Sequence, residues 1–168
     1  MSIVFVLGGH GSGKSTVVRG IMSGMEPIHV TYPERKYPIG YRRNNVCVLG
    51  HYEIPNGGAD TVRPLTFLHA TCEEWARAGN HVVLEGIGQA GIFDQVLLLL
   101  ANHGGSVMYL TTPLDVCVAS VRARGHRLAE HNIRAGYIRA ERMANRFGEG
   151  VYRVDRSKAV ATLRRLIR

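Results

Sequence analysis

Residues 3–16 read Ile3-Val4-Phe5-Val6-Leu7-Gly8-Gly9-His10-Gly11-Ser12-Gly13-Lys14-Ser15-Thr16. The first five form a continuous apolar run rich in β-branched side chains, which is typical of a strand buried on both faces of a sheet. The remainder matches the pattern G-x-x-x-x-G-K-[ST], and a helical pattern follows from Ser15. A buried strand, a glycine-rich turn and a helix in this order predict an α/β fold with a phosphate-binding loop after its first strand.

The glycine-rich turn predicts a binding site for the phosphates of ATP or GTP. Glycines allow successive backbone N–H groups to turn inward around a phosphate, and the dipole of the following helix adds positive potential. Lys14 is expected to bridge the β- and γ-phosphates, and the Ser15 hydroxyl is expected to ligate nucleotide-bound Mg²⁺. The predicted binding residues are Gly8, Gly9, His10, Gly11, Ser12, Gly13, Lys14, Ser15 and Thr16.

Length and composition predict a single soluble domain spanning residues 1–168. Hydrophobic residues make up 45% of the chain and charged residues 20%, both ordinary for a globular protein. The longest apolar run, Val96–Ala101, is too short to span a bilayer, and no signal peptide is visible, so we expect a cytoplasmic protein without a membrane partner. The cysteines Cys47, Cys72 and Cys117 lack a C-x-x-C spacing, which disfavours disulfides and a zinc site.

Positive charge is concentrated in the last third of the chain. The formal net charge is +8, but residues 1–120 carry 8 basic and 9 acidic side chains, whereas residues 121–168 carry 13 basic and 4 acidic ones. All but one of those 13 are arginine, whose planar guanidinium suits phosphate. The clustering predicts a polyanionic partner, either a nucleotide or a nucleic acid. The alternative is a solvated surface whose arginine bias reflects the composition of the genome.

Apolar runs alternate with helical patterns along the chain, which predicts βαβ units and a parallel sheet. The predicted strands are Ile3–Leu7, Val46–Leu49, Val82–Leu84, Val107–Leu110 and Val151–Val154. The predicted helices are Ser15–Met25, Pro64–Ala78, Gly91–Asn102, Pro113–Arg124, Ile133–Phe147 and Ser157–Ile167. Between them, Met25–Arg43 shows no clear period and Pro55–Asp60 is a glycine-rich loop.

A single acid, Glu85, ends the third predicted strand, and glycine follows it. The carboxyl end of such a strand lies beside the bound phosphates in this architecture. Glu85 could therefore hold the Mg²⁺ shell or accept a proton, and a plain surface acid is the alternative. The chain has neither the base-reading N-K-x-D motif of GTPases nor the Asp-Glu pair of motor ATPases.

The stretch Tyr109–Arg127 resembles the fourth strand, helix and lid of small P-loop kinases of the nucleoside monophosphate and shikimate kinase type. The resemblance implies a three-layer α/β/α sandwich with a mostly parallel central sheet and an Arg-rich lid at about residues 122–135. Lid arginines in such kinases close over the transferring phosphoryl group, whose charge spreads over its equatorial oxygens. Arg124 and Arg127 are the candidates for this role. Arg122 is a secondary candidate, and the alternative is that it is only a charge on the helix surface. A phosphotransferase is therefore favoured over a nucleotide switch or a DNA-stimulated ATPase.

Polar residues crowd the stretch Leu49–Arg63, where such kinases bind the phosphate acceptor. Asp60 could be the general base that takes the proton of an acceptor hydroxyl, or it could cap the helix predicted from Pro64. Gly57 and Gly58 could let the chain approach a substrate closely, or they could form a plain turn.

Three further side chains of this stretch could contact the acceptor. His51 and Tyr52 could stack on a base, and Arg63 could hold an anionic group. The preceding segment, Met25–Arg43, interleaves aromatic with basic side chains, which suits a nucleic-acid groove. Its alternative is a structured insertion with tyrosines in the core or at the rim. The side chains concerned are Tyr32, Tyr37, Tyr41, Arg35, Lys36, Arg42 and Arg43.

Two motifs, Gly50-His51-Tyr52 and Gly57-Gly58-Ala59-Asp60-Thr61, resemble the G-x-Y…G-G-x-D-T signature of phage P-loop kinases associated with thymine hypermodification. Those kinases phosphorylate the 5-hydroxymethyl group of 5-hydroxymethyluracil in DNA. The resemblance implies the same reaction here, with ATP, Mg²⁺ and DNA containing 5-hydroxymethyluracil. It also implies that Asp60 is the catalytic base and that Gly57, Gly58 and Thr61 belong to the substrate loop. A kinase for a free nucleotide or another small metabolite is the alternative.

Overall fold

The computed structural model describes residues 2–30, 36–54, 57–86, 92–125 and 127–168, without the side chains of Asp60, Ile92 and Phe93. The strands of these ranges are β1 (Ile3–Leu7), β2 (Glu26–Ile28), β3 (Gly40–Arg43), β4 (Val46–Leu49), β5 (His81–Gly86), β6 (Gly105–Leu110) and β7 (Val151–Val154). The helices are α1 (Lys14–Arg19), α2 (Leu65–Arg77), α3 (Ile92–His103), α4 (Leu114–Ala123), α5 (Glu130–Phe147) and α6 (Arg156–Leu166). The strands form one sheet in the order β2-β3-β4-β5-β1-β6-β7.

Strand β1 occupies the centre of the sheet because both of its faces are apolar. It pairs in parallel with β5 on one side and with β6 on the other. Ile3, Phe5 and Leu7 join the core on one face, and Val4 and Val6 join the core on the other. Each of the five is at most 1% exposed, as expected for a continuous apolar run in a sheet that helices cover on both faces.

Helices pack on both faces of the sheet. On the face of Phe5, buried residues of α2, α3 and α5 complete the core, and on the face of Val4, buried residues of α1 and α6 do so. Helix α4 packs on α5 through a smaller cluster of Cys117, Val121 and Ile133. This three-layer arrangement confirms the predicted α/β/α fold class.

Most predicted elements are confirmed with small differences at their ends, but the helix predicted over Ser15–Met25 is wrong beyond Arg19. Glycine disfavours a helix interior, and two glycines follow Arg19 closely in the chain. The second of them, Gly24, adopts a φ of 72°, which a right-handed helix does not allow. The chain turns there and continues as strand β2.

The segment Met25–Arg43 was expected to be irregular, but it contains β2 and β3, which pair antiparallel with each other. Strand β3 in turn forms an antiparallel hairpin with β4, through a turn in which Asn44 has a φ of 54°. Strands β2 and β3 lie at one edge of the sheet and are partly exposed, so they show no continuous apolar run. The turn Asn44-Asn45 lacks the glycine of the Asn-Gly and Asp-Gly turns that mark a hairpin in a sequence.

None of the helices in the described ranges has the length and apolar character needed to cross a lipid bilayer.

Candidate active site

Several segments that follow parallel strands meet at one edge of the sheet. The register aligns Leu7 of β1 with Gly86 of β5 and with Tyr109 of β6, so the chain leaves these strands side by side. Strand β4 also runs parallel to β5. The glycine-rich loop (residues 8–16) and the loop after β4 (the 50–63 loop) therefore lie at the carboxyl edge, where α/β proteins bind their ligands.

The glycine-rich loop has a shape that only glycines allow. Gly11 and Gly13 have φ values of 78° and 97°, in the left-handed region that favours glycine. A Cβ on Gly9 would lie 3.0 Å from the Cα of Tyr137 in α5. The loop leads directly into the amino end of α1, where the helix dipole favours an anion.

Two cations lie at this loop. The Nζ of Lys14 donates a hydrogen bond to the carbonyl oxygen of Gly9 at 2.9 Å, so its ammonium group lies across the loop. The Nε of Arg156, at the start of α6, is 3.0 Å from the place that a Cβ on Gly13 would take. Burial raises the pKa of the neighbouring Cys117 thiol, and the charges of Lys14 and Arg156 oppose that rise. No pattern in the sequence singles out Arg156.

A buried hydrogen bond fastens the glycine-rich loop to the end of β6. The Oγ1 of Thr112 donates to the carbonyl oxygen of Ser12 at 2.8 Å, and both residues are buried. On the same side, a Cβ on Gly11 would lie 2.2 Å from the carbonyl oxygen of Cys117 in α4. The loop is thus held in place by β6 and α4, and a lone threonine after a strand carries no sequence signal for this role.

Glu85 lies inside the site, since it is only 6% exposed. This burial excludes the alternative of a plain surface acid. Glu85 of β5 is in register with Val6 of β1, and neighbouring strands are about 4.8 Å apart. The side chains of two residues in register lie on the same face of the sheet. Its carboxylate therefore lies on the face that α1 covers, next to the helix that begins with Lys14 and Ser15. Its roles toward Mg²⁺ or a proton remain predictions.

The glycines of the 50–63 loop allow the chain to approach itself. A Cβ on Gly57 would lie 2.0 Å from the carbonyl oxygen of His51, and Gly58 forms a β-bridge with His51. The hydroxyl of Thr61 ties the loop together, because it accepts a hydrogen bond from the His51 N–H at 3.2 Å and donates one to the Gly58 carbonyl at 2.5 Å. The role of Gly57, Gly58 and Thr61 toward a substrate remains a prediction.

A cavity of about 180 Å³ lies beside this loop, lined by Lys36, Tyr37, His51, Thr61 and three apolar residues. Two of the lining rings are in contact, since Tyr37 stacks on His51 with centroids 4.4 Å apart. Tyr52 does not line the cavity. Its ring is buried in the core, edge-on to that of Tyr41, so the stacking expected of Tyr52 is not supported.

Asp60 belongs to a short 3-10 turn, Ala59–Thr61, at the same edge of the sheet. Its side chain lies outside the described part of the chain. The residue at the amino cap of α2 is Pro64, so the alternative in which Asp60 caps this helix is wrong. The side chain of Arg63 is exposed. The roles of Asp60 as a base and of Arg63 as an anion contact remain predictions.

The predicted lid, at about residues 122–135, covers the end of α4, the connection between α4 and α5, and the start of α5. Arg122 forms an ion pair with Glu130 at 2.5 Å, and both side chains are exposed. This contact agrees with the alternative in which Arg122 is only a surface charge. The Nε of Arg124 donates to the carbonyl oxygen of Ser120 at 3.1 Å. Arg127 is exposed and forms no hydrogen bond or ion pair with the residues that the structure describes. Closure of Arg124 and Arg127 over a phosphoryl group remains a prediction.

Helix α1 also holds the 50–63 loop, through Arg19. The Nη2 of Arg19 donates to the carbonyl oxygens of Tyr52 and Ile54 at 3.1 and 2.7 Å. The guanidinium also lies over the Tyr52 ring, 5.8 Å from its centroid, within cation–π range. One helix therefore positions both the glycine-rich loop, through Lys14, and the loop after β4. No sequence pattern marks Arg19 for this role.

No protein-family model matches the chain. The chain is similar to a protein of Pseudomonas phage PaMx11 named 5-hmdU DNA kinase, with 34% identity over 131 residues that cover 73% of this chain and 68% of the phage protein. Among solved structures, it is similar to a gluconokinase from Sinorhizobium meliloti 1021, with a TM-score of 0.52 and 17% identity over 99% of this chain and 93% of that one. At so low an identity, the likeness to the gluconokinase shows a shared fold alone.

Proposed function

Because this chain belongs to the 5-hmdU DNA kinase family, we propose that it phosphorylates the 5-hydroxymethyl group of 5-hydroxymethyluracil in DNA, with ATP as the phosphoryl donor. The observation that carries the proposal is the 34% identity to the phage enzyme over most of both chains. The glycine-rich loop and the cavity beside His51 support it, because they lie at the same edge of the sheet. The phosphate ester then serves as a leaving group in further modification of the base, in the cytoplasm of the host.

The residues of the glycine-rich loop fit the phosphates of ATP. Gly11 and Gly13 adopt φ values of 78° and 97°, which allow the loop N–H groups to turn inward, and Lys14 already lies across the loop. The loop N–H groups bind the β-phosphate, and Lys14 moves from the Gly9 carbonyl to bridge the β- and γ-phosphates. Ser15 is the residue that would hold Mg²⁺, with Glu85 on its water shell. When bound, Mg²⁺ neutralises charge on the β- and γ-phosphate oxygens.

The transfer is a displacement at phosphorus. The hydroxymethyl oxygen of the base forms a bond to the γ-phosphorus, the bond from that phosphorus to the β,γ-bridging oxygen breaks, and ADP leaves with the bridging oxygen. Asp60 accepts the proton of the hydroxymethyl group, since it directly precedes Thr61, which lines the cavity. Arg124 and Arg127 close over the phosphoryl group and stabilise the charge on its equatorial oxygens.

The surface of the last third of the chain is suited to a DNA backbone. All 13 basic side chains of residues 121–168 are exposed. Three of them, Arg139, Arg142 and Arg146, follow one another at spacings of three and four residues on α5, which places them on one helix face. The opposite part of α5 contacts the glycine-rich loop through Tyr137. Phosphate contacts by these arginines hold the DNA near the site without reading its sequence.

The test measures transfer from γ-labelled ATP to duplex DNA with 5-hydroxymethyluracil, to unmodified DNA, and to free 5-hydroxymethyl nucleosides and nucleotides. Label in the modified DNA alone is expected, and affinity for DNA should fall steeply with salt. A variant with glutamine at positions 139, 142 and 146 should show a weaker salt dependence. Label in the monomers alone would contradict the proposal and identify a nucleotide kinase.

A further inference from the structure

The cavity beside His51 has a shape and a chemistry that the proposed function does not by itself explain. We propose that this cavity binds the modified pyrimidine as an extrahelical base, with a ring nitrogen of His51 hydrogen-bonded to the edge of the base that pairs in the duplex. This inference rests on the proposed function. It adds the place where the base binds and the requirement that the base leave the DNA duplex.

The side chain of His51 carries the inference. His51 is 3% exposed, and neither its Nδ1 nor its Nε2 has a hydrogen-bond partner among the described residues. Buried polar atoms in folded proteins are nearly always paired, because an unpaired one loses its hydration without compensation. A neutral imidazole offers one donor and one acceptor. The pairing edge of 5-hydroxymethyluracil offers carbonyl acceptors and an N–H donor, so either ring nitrogen of His51 has a complementary partner there.

The walls of the cavity suit a flat ring. Tyr37 stacks on His51 at an interplanar angle of 24°. Pro38, Ile39 and Val62 form the apolar part of the wall, and Lys36 and Thr61 form its polar part. Tyr37 is 45% exposed, which leaves aromatic surface at the entrance for a base to stack on. Aromatic stacking with one or two polar contacts to the pairing edge is how enzymes read a base that has left the duplex.

The pairing edge of a base inside a duplex is not free to contact a protein. Its carbonyl and N–H groups are already hydrogen-bonded to the partner base, and His51 lies below the surface, at 3% exposure. The cavity of about 180 Å³ has room for one pyrimidine ring. A paired base would therefore have to leave the stack before His51 could reach its pairing edge.

The position of His51 also fits phosphoryl transfer. His51 follows β4, and β4 is separated from β1 by β5 alone. Two strand spacings amount to about 10 Å, so the end of β4 lies about that far along the edge from the end of β1, where the glycine-rich loop begins. A hydroxymethyl group that extends from the cavity toward this loop can approach a phosphate held there.

The first experiment compares two duplexes that differ only in the partner of 5-hydroxymethyluracil, which is either adenine or an abasic site. If the base must leave the helix, removal of its pairing partner should raise kcat/KM by about tenfold or more, since less pairing has to be broken. An unchanged or lower kcat/KM on the abasic duplex would overturn the inference.

The second experiment compares His51→Leu with His51→Gln. The leucine variant keeps bulk and loses both polar atoms, so its KM for the modified DNA should rise by about tenfold. The glutamine variant keeps a donor and an acceptor and should recover part of that loss. Binding of a fluorescent ATP analogue, measured on each variant, reports whether the glycine-rich loop is still folded. A leucine variant that binds ATP and has the wild-type KM for DNA would overturn the role of His51.

The two levels of proposal fail in different ways. If the wild-type protein transfers no phosphate to modified DNA, then the proposed function fails and the base pocket with it. If the wild-type protein is active, but the abasic duplex does not raise kcat/KM or His51→Leu leaves the KM for DNA unchanged, only the base pocket is refuted.

Discussion

The guanidinium of Arg19 donates hydrogen bonds to the main-chain carbonyl oxygen of Tyr52 from both Nε and Nη2, at 3.3 and 3.1 Å. This contact joins α1, which begins in the glycine-rich loop, to the loop that follows β4. A single side chain on the nucleotide side of the site therefore sets the position of the backbone on the acceptor side.

Arg19→Ala is expected to raise the KM for modified DNA about tenfold while the affinity for ATP changes little, because the 50–63 loop loses charge-assisted hydrogen bonds. Arg19→Lys should be intermediate, since an ammonium cannot span both carbonyl oxygens. Steady-state kinetics with varied DNA, alongside ATP-binding titrations, measure the split. The matched control is Arg77→Ala, which removes an exposed arginine paired with Glu73 on α2. Equal effects of both alanine variants would contradict the positioning role.

Lys14→Ala should abolish phosphoryl transfer, because it removes the charge that bridges the phosphates. Lys14→Arg keeps the charge but replaces a compact ammonium group with a longer, planar guanidinium, so it should also be impaired. Single-turnover transfer from γ-labelled ATP is the measurement, with thermal unfolding as the control for folding. Near-normal turnover in Lys14→Ala would refute the role of the glycine-rich loop.

Asp60→Asn should slow transfer by about 10²–10⁴-fold while ATP binding is retained, because the hydroxymethyl proton loses its acceptor. Glu85→Gln should instead raise the Mg²⁺ concentration needed for half-maximal rate. Both variants preserve side-chain size, so each serves as the control for the other. A small effect of Asp60→Asn together with a large, Mg²⁺-independent loss in Glu85→Gln would transfer the role of base to Glu85.

The lid arginines should differ in their effects on rate. Arg127→Ala is expected to lower kcat by about 10²-fold or more, since it removes a cation that stabilises the transition state. Arg122→Ala should change kcat only a few-fold, because Arg122 is already paired with Glu130 at the surface and such pairs contribute little. Rates measured at saturating ATP and DNA separate kcat from binding. The reverse order of effects would contradict the assignment of Arg127.

Two histidines predict the pH dependence of stability. Burial lowers the pKa of His69 and of His81 below the ordinary value of 6.5. Below pH 6.5 the unfolded chain therefore binds more protons than the folded chain, so the free energy of unfolding decreases as the pH falls through 6.5 and is fully regained above it. Urea midpoints measured at pH 7.5 and pH 5.5 should show this decrease, and the decrease should be smaller in His69→Leu.

Asp155 does not contribute between pH 5.5 and pH 7.5, because its hydrogen bonds with Ser157 lower its pKa from the ordinary value of 3.8. A midpoint that rises toward pH 5.5 would contradict the assignment.

Local patterns predicted the central part of the fold well. The run Ile3–Leu7 could only be a strand covered on both faces, and the glycines after it could only form a tight turn, so both follow from residues close together in the chain. Strand β4 was predicted, but its hairpin partner β3 escaped prediction because it is short and half exposed and because the Asn44-Asn45 turn lacks the glycine of a typical hairpin signal. The end of α1 was not predicted, because helix propensity alone does not define the residue at which a helix ends.

Some residues of the candidate site were predicted from local patterns, whereas others depend on tertiary packing and were not. Glu85 was identified because it is the single acid at the end of an apolar strand, but its burial depended on the packing of α1 against the sheet. His51 and Tyr52 were equal candidates for stacking, and only the packing of Tyr52 into the core separated them. Tyr37 comes from a different part of the chain, so its stacking on His51 has no local signature.

The amino-acid sequence by itself determined the α/β architecture, the glycine-rich loop and the concentration of arginine in residues 121–168, because each is a property of neighbouring residues or of composition. Tertiary structure alone decided which distant groups share the site: Thr112 beneath Ser12, Arg156 beside Gly13, and Arg19 on the backbone of the 50–63 loop. These contacts join parts of the chain that are far apart in sequence. They exist because parallel strands bring their carboxyl ends to one edge of the sheet, and no local pattern records them.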